Sequence, residues 1–360
     1  MKRAVLLVAT IGCGLPAPTE EGEHVRVAMD PGLSLCGDGV GHMDAFTALV
    51  AAELDVAAPT GDDRIVFHWL HPADFESRTI CINDNGGCAW HNDIYATAAP
   101  LDHEIVHSLA WAYGTPPVFF IEGLAVAYEL PPPDRSNGLI PATSVLDVAA
   151  GTGDLWLPDE LYPLAGAFVG FLIERHGIAA VLRVYERLRL ADGRRRITRI
   201  FEQELGESLE QAAAAFDMTR GVCSPRAWRR KLFECAAPEI AWDGASWSEY
   251  RTLDCDQDDV VGPFFGHVAL YHTLEVPETG VYEVAMIGDA GPGSDDAWNA
   301  VQLMRCSACE GYTEVDLIGA SDRQLAELPA GRYSLRRTGP AQQASGIGVR
   351  IERVGPATPP

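Results

Sequence analysis

The chain has 360 residues, of which 47% are hydrophobic, and a formal net charge of −24. This length is natural for two domains with buried cores. The acidic charge argues against nucleic acid or an anionic membrane surface as a partner and suits a soluble exported surface.

The N-terminus has the pattern of a secretory signal. Two basic residues precede an apolar run at 4–12 that is too short to span a bilayer. Cys13 follows Ile-Gly, which resembles a bacterial lipobox in which that cysteine is lipidated; ordinary cleavage near Ala17 is the alternative. We expect a signal peptide at 1–12, a tether at 13–23, and a bacterial protein that is either secreted or anchored at the cell envelope through Cys13.

The cysteine count agrees with export. Setting Cys13 aside leaves eight of nine cysteines, which in an oxidising compartment predicts up to four disulfides. Cys81 and Cys88 enclose a turn-forming segment and are candidates to pair with each other. Cys306 and Cys309 form a C-x-x-C pattern that we interpret as structural, with redox or metal binding as the alternative.

Strands are predicted at 24–29, 64–70 and 93–97, with a helix near 42–54. Further along, residues 103–107 contain H-E-x-x-H. On a helix His103 and His107 lie about 40° apart around the axis, so both rings can face one zinc ion. Glu104 would then lie beside the metal, where it can take a proton from water.

A second helix is predicted after Gly114 and two prolines, at about 118–128. It presents Glu122 in an otherwise apolar stretch, where a carboxylate is costly to bury unless it is paired or bound to a metal. Two helices joined by a short turn can bring Glu122 to a third position on the zinc and leave the fourth open for water.

These two segments together resemble the gluzincin metallopeptidases, the thermolysin-like group, over roughly residues 60–217. The second motif, W/F-x-x-E-G-x-A, is matched from Phe119 to Ala125. The resemblance implies a zincin-like catalytic domain with His103, His107 and Glu122 as zinc ligands and Glu104 as general base.

The resemblance has one departure and one further implication. Thermolysin carries an Asp four residues after its third ligand as a partner for a histidine, whereas this chain has Val126 there. Glu129 and Asp102 are the candidates to replace it. In the family an edge strand beside the zinc binds the substrate backbone, which would assign that role to residues 94–97.

Helices are predicted at 161–176, 178–190, 197–205 and 208–216, the last with a capping-box spacing, after a long loop at 131–159. Tyr162 is the first candidate to stabilise the oxyanion of peptide hydrolysis, with packing of its ring as the alternative. His176 is the second candidate, and capping of its helix is the alternative.

From about residue 241 short strands alternate with Gly/Pro turns, which indicates a β-sandwich at 241–356. The turn and strand texture resembles prepeptidase-type C-terminal domains of secreted bacterial proteases. An acidic cluster at 254–259 is interpreted as a solvated loop, with a calcium site as the alternative.

The sequence therefore predicts an α+β protein with a gluzincin-like metallopeptidase domain at 24–222, a linker at 223–240 and the β-sandwich. We expect a monomeric zinc metallopeptidase that hydrolyses peptides or proteins, with Zn²⁺ as its cofactor and no nucleic-acid partner. The alternative is a non-catalytic surface lipoprotein that uses the same fold and the sandwich for binding.

Overall fold

The computed structural model describes residues 14–81, 86–129, 140–151, 156–219, 232–288, 299–306, 314–318 and 322–357. The expected signal peptide and Cys13 lie outside these residues, as do Cys223, Cys309 and parts of the predicted 131–159 loop.

The N-terminal half contains a five-stranded sheet in the order β1-β2-β3-β5-β4. Its strands are β1 (Glu20–Glu21), β2 (Val25–Met29), β3 (Ile65–Trp69), β4 (Gly87–Trp90) and β5 (Asp93–Ala96). The three central strands β2, β3 and β5 are parallel, and β1 and β4 are antiparallel edges. Alternate apolar side chains such as Val27 and Phe67 are fully buried, as half-buried strands require.

Nine α-helices lie within the described residues. They are α1 (Gly39–Glu53), α2 (Phe75–Arg78), α3 (Asp102–Ala110), α4 (Val118–Tyr128), α5 (Val145–Val148), α6 (Tyr162–His176), α7 (Ile178–Arg187), α8 (Arg194–Glu204) and α9 (Leu209–Thr219). Among them no single helix is long and apolar enough to cross a membrane, although α6 with its preceding turn and α7, bent by 120°, reach that length and composition together.

The predicted capping box begins the last of these helices. The backbone N–H of Ser208 donates to Oε1 of Gln211 over 2.8 Å, and the N–H of Gln211 donates to Oγ of Ser208 over 3.2 Å. These reciprocal bonds satisfy two donors that the first helical turn would otherwise leave unpaired.

The C-terminal half consists of strands. They are β6 (Ser246–Leu253), β7 (Val261–Phe264), β8 (His267–Val276), β9 (Gly280–Gly288), β10 (Ala300–Arg305), β11 (Glu314–Ile318), β12 (Arg323–Leu328), β13 (Gly331–Pro340) and β14 (Ser345–Pro356). They form two antiparallel sheets in the orders β11-β10-β13-β8-β7 and β12-β9-β14-β6. Leu335 of the first sheet and Val284 and Val349 of the second meet in one buried core. The α+β expectation is confirmed.

Three disulfides connect the described cysteines. Cys81–Cys88 is the expected local pair, and Cys36–Cys255 and Cys235–Cys306 span 219 and 71 residues. Cys306 of the C-x-x-C pattern is thus part of a structural crosslink. Disulfides of this number indicate an oxidising, non-cytoplasmic location.

Candidate metal centre

Two short helices meet at the H-E-x-x-H motif. Helix α3 is followed by a 3₁₀ turn at Trp111–Tyr113 and then by Gly114, whose φ of +90° suits a residue without a side chain. Pro117 lies immediately before α4. A proline is tolerated at the start of a helix but not inside one, so it separates α4 from the preceding turn. The turn brings the apolar helix α4 back beside α3.

This arrangement brings His103, His107 and Glu122 together. Nε2 of His103 lies 3.0 Å from Nε2 of His107 and 3.0 Å from Oε2 of Glu122, and Nε2 of His107 lies 3.2 Å from the same oxygen. Ligands of a tetrahedral zinc at 2.0–2.1 Å are about 3.3 Å from one another. Within the described part of the chain, this is the one group of three metal-ligating side chains close enough to share an ion. The donor set and its spacing therefore fit zinc.

Glu129 completes the support of His103. Nδ1 of His103 donates to Oε2 of Glu129 over 2.7 Å, which leaves Nε2 as the nitrogen directed at the other two ligands. A carboxylate behind a metal-binding histidine fixes the ring and raises its basicity. Of the two candidates that the sequence offered for this partner, the structure places Glu129 there.

Asp102, the other candidate, bonds to a different histidine. Its carboxylate accepts from Nε2 of His42 on α1, at 2.9 Å and 3.1 Å to its two oxygens. As the first residue of α3 it points toward α1 and away from its neighbour His103. The expectation that Asp102 could be the hydrogen-bond partner of the metal-binding histidine is therefore wrong, and its actual partner, the buried His42, was not among the candidate residues.

The charges of the cluster are coupled. Burial opposes a charged His103 ring, but hydrogen bonds to Glu122 and Glu129 outweigh it and hold the pKa of His103 well above its ordinary value. Burial also opposes ionisation of Glu122, yet His107 and His103 hold the pKa of that carboxyl well below its usual range. The carboxylates of Glu122 and Glu129 thus favour a positive charge next to the imidazole nitrogens of the cluster.

Glu104 lies on the side of α3 that faces the sheet. It is 6% exposed, and burial raises its pKa above the ordinary value although His107 and His103 partly oppose that shift. A Cβ built at Gly87 of β4 would lie 3.1 Å from Oε1 of Glu104 and 2.6 Å from Cδ2 of Leu101. Only a glycine therefore lets this strand approach the carboxylate so closely.

The edge strand differs from the one expected. Residues 94–97 were predicted to pair with substrate, but β5 has β3 on one side and β4 on the other, so both of its edges are used. Among the described strands the outer ones of this sheet are β1 and β4, and β4, which carries Gly87, is the edge beside α3. Its sequence Gly-Cys-Ala-Trp lacks a run of β-branched residues and gave no strand signal.

Helix α6 brings Tyr162 to the cluster. Gly123 of the E-G-x-A motif makes this possible, because a Cβ there would lie 2.7 Å from the carbonyl oxygen of Ala165 on α6. The ring of Tyr162 lies 5.9 Å from that of His103, centroid to centroid. His176, the second oxyanion candidate, instead contacts Glu207 through Nε2 at 2.7 Å, at the far end of α6.

The acidic cluster of the C-terminal half is engaged in local contacts. Asp259 forms a bidentate ion pair with Arg251 at 2.7 Å and 2.9 Å. Asp254 accepts from the backbone N–H of Asp256 over 3.1 Å. Two of the four carboxylates are thus used to shape a turn and to hold it against β6.

Comparison with known proteins gives distant likenesses only. No protein-family model matches the sequence, and no curated protein matches it. The pre-peptidase C-terminal domain of collagenase from Bacillus anthracis aligns at 13% identity and a TM-score of 0.24, over 32% of this chain and 94% of that domain. PliG of Aeromonas hydrophila, a periplasmic lysozyme inhibitor of g-type lysozyme, aligns at 10% identity and a TM-score of 0.21, with the same coverages.

Proposed function

We propose that the protein is a zinc-dependent peptidase of the gluzincin type that acts at the cell envelope or outside the cell. The observation that carries the proposal is the triangle of His103, His107 and Glu122, with sides of 3.0–3.2 Å. The catalytic domain would comprise residues 24–222, followed by a linker at 223–240 and the sandwich at 241–356.

Each residue of the site has a role in this proposal. The two Nε2 atoms and the Glu122 carboxylate would hold zinc, which when bound supplies a Lewis acid for the scissile carbonyl and for the attacking water. Glu104 accepts the proton of that water, and its raised pKa brings it closer to the range in which a general base is effective. Tyr162, at the start of α6, is the candidate to donate a hydrogen bond to the oxyanion.

The substrate would be an extended peptide. The free edge of β4 offers main-chain donors and acceptors that can pair with a peptide by strand addition. Gly87 of this strand is next to Glu104, so a peptide on the edge would pass the proposed base. This assigns the substrate-binding edge to β4 instead of β5.

The test is Glu104→Gln in the mature, zinc-loaded protein. We expect it to bind zinc like wild type but to hydrolyse a labelled unfolded protein and a mixed quenched-peptide library on the order of 10²- to 10⁴-fold more slowly, because an amide cannot accept the proton. Glu202→Gln, on the exposed face of α8, is the matched control and should retain wild-type rates.

Two results would count against the proposal. If Glu104→Gln hydrolyses these substrates as fast as Glu202→Gln, the assigned base is wrong. If zinc-loaded wild type is no faster than Glu104→Gln on either substrate, the protein is better described as the non-catalytic binding protein.

A further inference from the structure

A buried histidine links the metal-binding helix to the rest of the molecule. His42 of α1 is fully buried, and its Nε2–H donates to Asp102, the first residue of α3 and the neighbour of His103. A buried carboxylate needs such a donor, because its desolvation is otherwise uncompensated. The bond therefore fixes the first turn of α3 against α1.

Apart from Phe46 of α1, at 6.1 Å between ring centroids, the rings that pack around His42 come from the C-terminal half. The rings of Phe233, Phe264 and Tyr271 surround it, with centroids 4.4 Å, 5.5 Å and 6.2 Å from the imidazole. Phe264 belongs to β7 and Tyr271 to β8 of the sandwich. These rings hold the imidazole in one orientation, so the position of the Nε2 donor depends on the sandwich and on Phe233, which lies in the segment just before it.

A second set of contacts fixes the start of α1 to the same part of the sandwich. The backbone N–H groups of residues 36–38 donate to the carbonyls of Gly262, Cys255 and Val260 over 3.0, 2.8 and 3.1 Å. The disulfide Cys36–Cys255 lies at the same place. The helix that carries His42 is thus anchored on the sandwich immediately before its first turn.

We propose that the sandwich positions the metal centre: through the rings on His42 and the His42–Asp102 bond, it holds the first turn of α3, and with it His103, at the correct distance from Glu122. The inference rests on the proposed zinc site and extends it, since it makes the C-terminal domain part of the scaffold of that site. His42 and Asp102 act as positioning residues; neither is among the proposed ligands.

The expected loss of zinc affinity follows from how little the ligand distances of a zinc site can change. Ligand distances in such sites hold within about 0.2 Å, so a small displacement of the first turn of α3 weakens binding. Loss of a group that hydrogen-bonds directly to a ligand typically costs 10- to 100-fold in metal affinity, and we expect the same range for a contact that acts through the backbone from Asp102 to His103. Removing the Nε2 donor of His42 leaves the buried Asp102 carboxylate without this hydrogen bond. The first turn of α3 would then move so that water can reach the carboxylate.

The test uses four variants of the mature, full-length protein. His42→Leu removes the donor but keeps an apolar side chain, whereas His42→Gln retains an N–H that can reach Asp102. Phe264→Ala removes one of the two sandwich rings that pack on His42. Leu317→Ala, in the sandwich core on β11, is the matched control that destabilises the same domain away from this contact.

Zinc dissociation constants come from competition with a chelator, and hydrogen exchange of α3 is followed without metal, both at a temperature where every variant is folded. We expect His42→Leu and Phe264→Ala to bind zinc 10- to 100-fold more weakly than Leu317→Ala and to exchange faster in α3. His42→Gln should stay within a few-fold of wild type.

The proposal is overturned if Phe264→Ala and His42→Leu match Leu317→Ala in both zinc affinity and exchange of α3. If His42→Leu does not fold, Phe264→Ala against Leu317→Ala decides the question alone. If wild type binds no zinc, the proposed function fails, and the exchange of α3 still tests whether the sandwich positions this helix.

Discussion

Both ring nitrogens of His103 have partners. Its Nδ1 donates to Glu129 and its Nε2 faces His107 and Glu122, so the ring can rotate only by breaking the 2.7 Å bond to Glu129. Glu129 follows the last residue of α4, the helix that also carries Glu122. One helix therefore supplies both a ligand and the group that orients another ligand.

Glu129→Ala removes that orienting carboxylate. We expect zinc affinity to fall about 10- to 100-fold, because the ring loses its fixed tautomer and some of its basicity. Chelator competition measures the change, and Glu202→Ala on the exposed face of α8 is the control. Equal affinities for the two variants would show that Glu129 plays no part in metal binding.

Zinc binding should release a proton from His103. Burial opposes a charged ring, but hydrogen bonds to Glu122 and Glu129 outweigh it and raise the pKa of His103 well above its ordinary value. The metal-free site therefore favours a proton on this ring, and zinc has to displace it. Affinity should therefore fall as pH falls below that raised pKa, by about tenfold per unit for one proton. Titration calorimetry in two buffers of different ionisation enthalpy counts the protons, and a count of zero at pH 7 would contradict the assignment.

At this scale the sequence predicts the proposed ligand set but not its surroundings. The i, i+4 spacing brings the rings of His103 and His107 to one face, as any helix would. The choice between Glu129 and Asp102 could not be made, because it depends on the directions of helix ends. The His42–Asp102 hydrogen bond joins residues 60 positions apart, and no local sequence pattern predicts it.

Among the elements, β4 lies directly against the proposed base. It is a short antiparallel edge strand held at its centre by Cys88, which is crosslinked to Cys81. Its first residue, Gly87, meets α3 without a side chain. This crosslink and this glycine together place a free main-chain edge beside Glu104.

Gly87→Ala tests that placement. The added methyl would meet Leu101 at 2.6 Å and Glu104 at 3.1 Å, so the strand or the carboxylate must shift. We expect hydrolysis to slow about 10- to 100-fold, as a displacement near 1 Å can cause, while zinc remains bound.

The control for this prediction is Gly193→Ala. That glycine has a φ of −79°, and an added Cβ would meet nothing within 4 Å. Wild-type rates in Gly87→Ala would show that neither Glu104 nor the edge strand needs this close approach.

The helices of the N-terminal half were more predictable than its edge strand. Helices α7 and α8 each have one apolar and one charged face, and α9 begins with a capping box. These local sequence patterns are enough to predict the three helices. In the sandwich the long strands β8 and β14 followed from alternation and turns. Strands β6, β7, β10 and β11 were missed. The pairing of β6 with β14, about 90 residues further along the chain, has no local signal.

Across the described residues the molecule has two cores and a third apolar cluster beside His42. One core packs the first sheet and the helices, the other lies between the two sheets of the sandwich, and Phe264 and Tyr271 belong to the third. A sequence can indicate two domains by a change of texture. It does not indicate that Cys36 of one half pairs with Cys255 of the other.

Limited proteolysis should reveal that crosslink. Cleavage between residues 223 and 234 keeps Cys235 and its partner Cys306 on the same fragment. The two fragments should then migrate together on a denaturing gel without reductant and separate after reduction, because Cys36–Cys255 joins them. A crosslink that closes a loop of this span is worth on the order of 5 kcal/mol in the chain-entropy model. Fragments that separate without reductant would refute this pairing.

The central claim is that one zinc ion binds between α3 and α4. Anomalous diffraction at the zinc edge, from crystals of zinc-loaded protein, locates the metal directly. A zinc ion at this site would give one strong peak per chain, about 2.0–2.2 Å from Nε2 of His103, Nε2 of His107 and a carboxylate oxygen of Glu122. A map with no peak at this position, or with Glu122 turned away from a metal held by the two histidines, would contradict it.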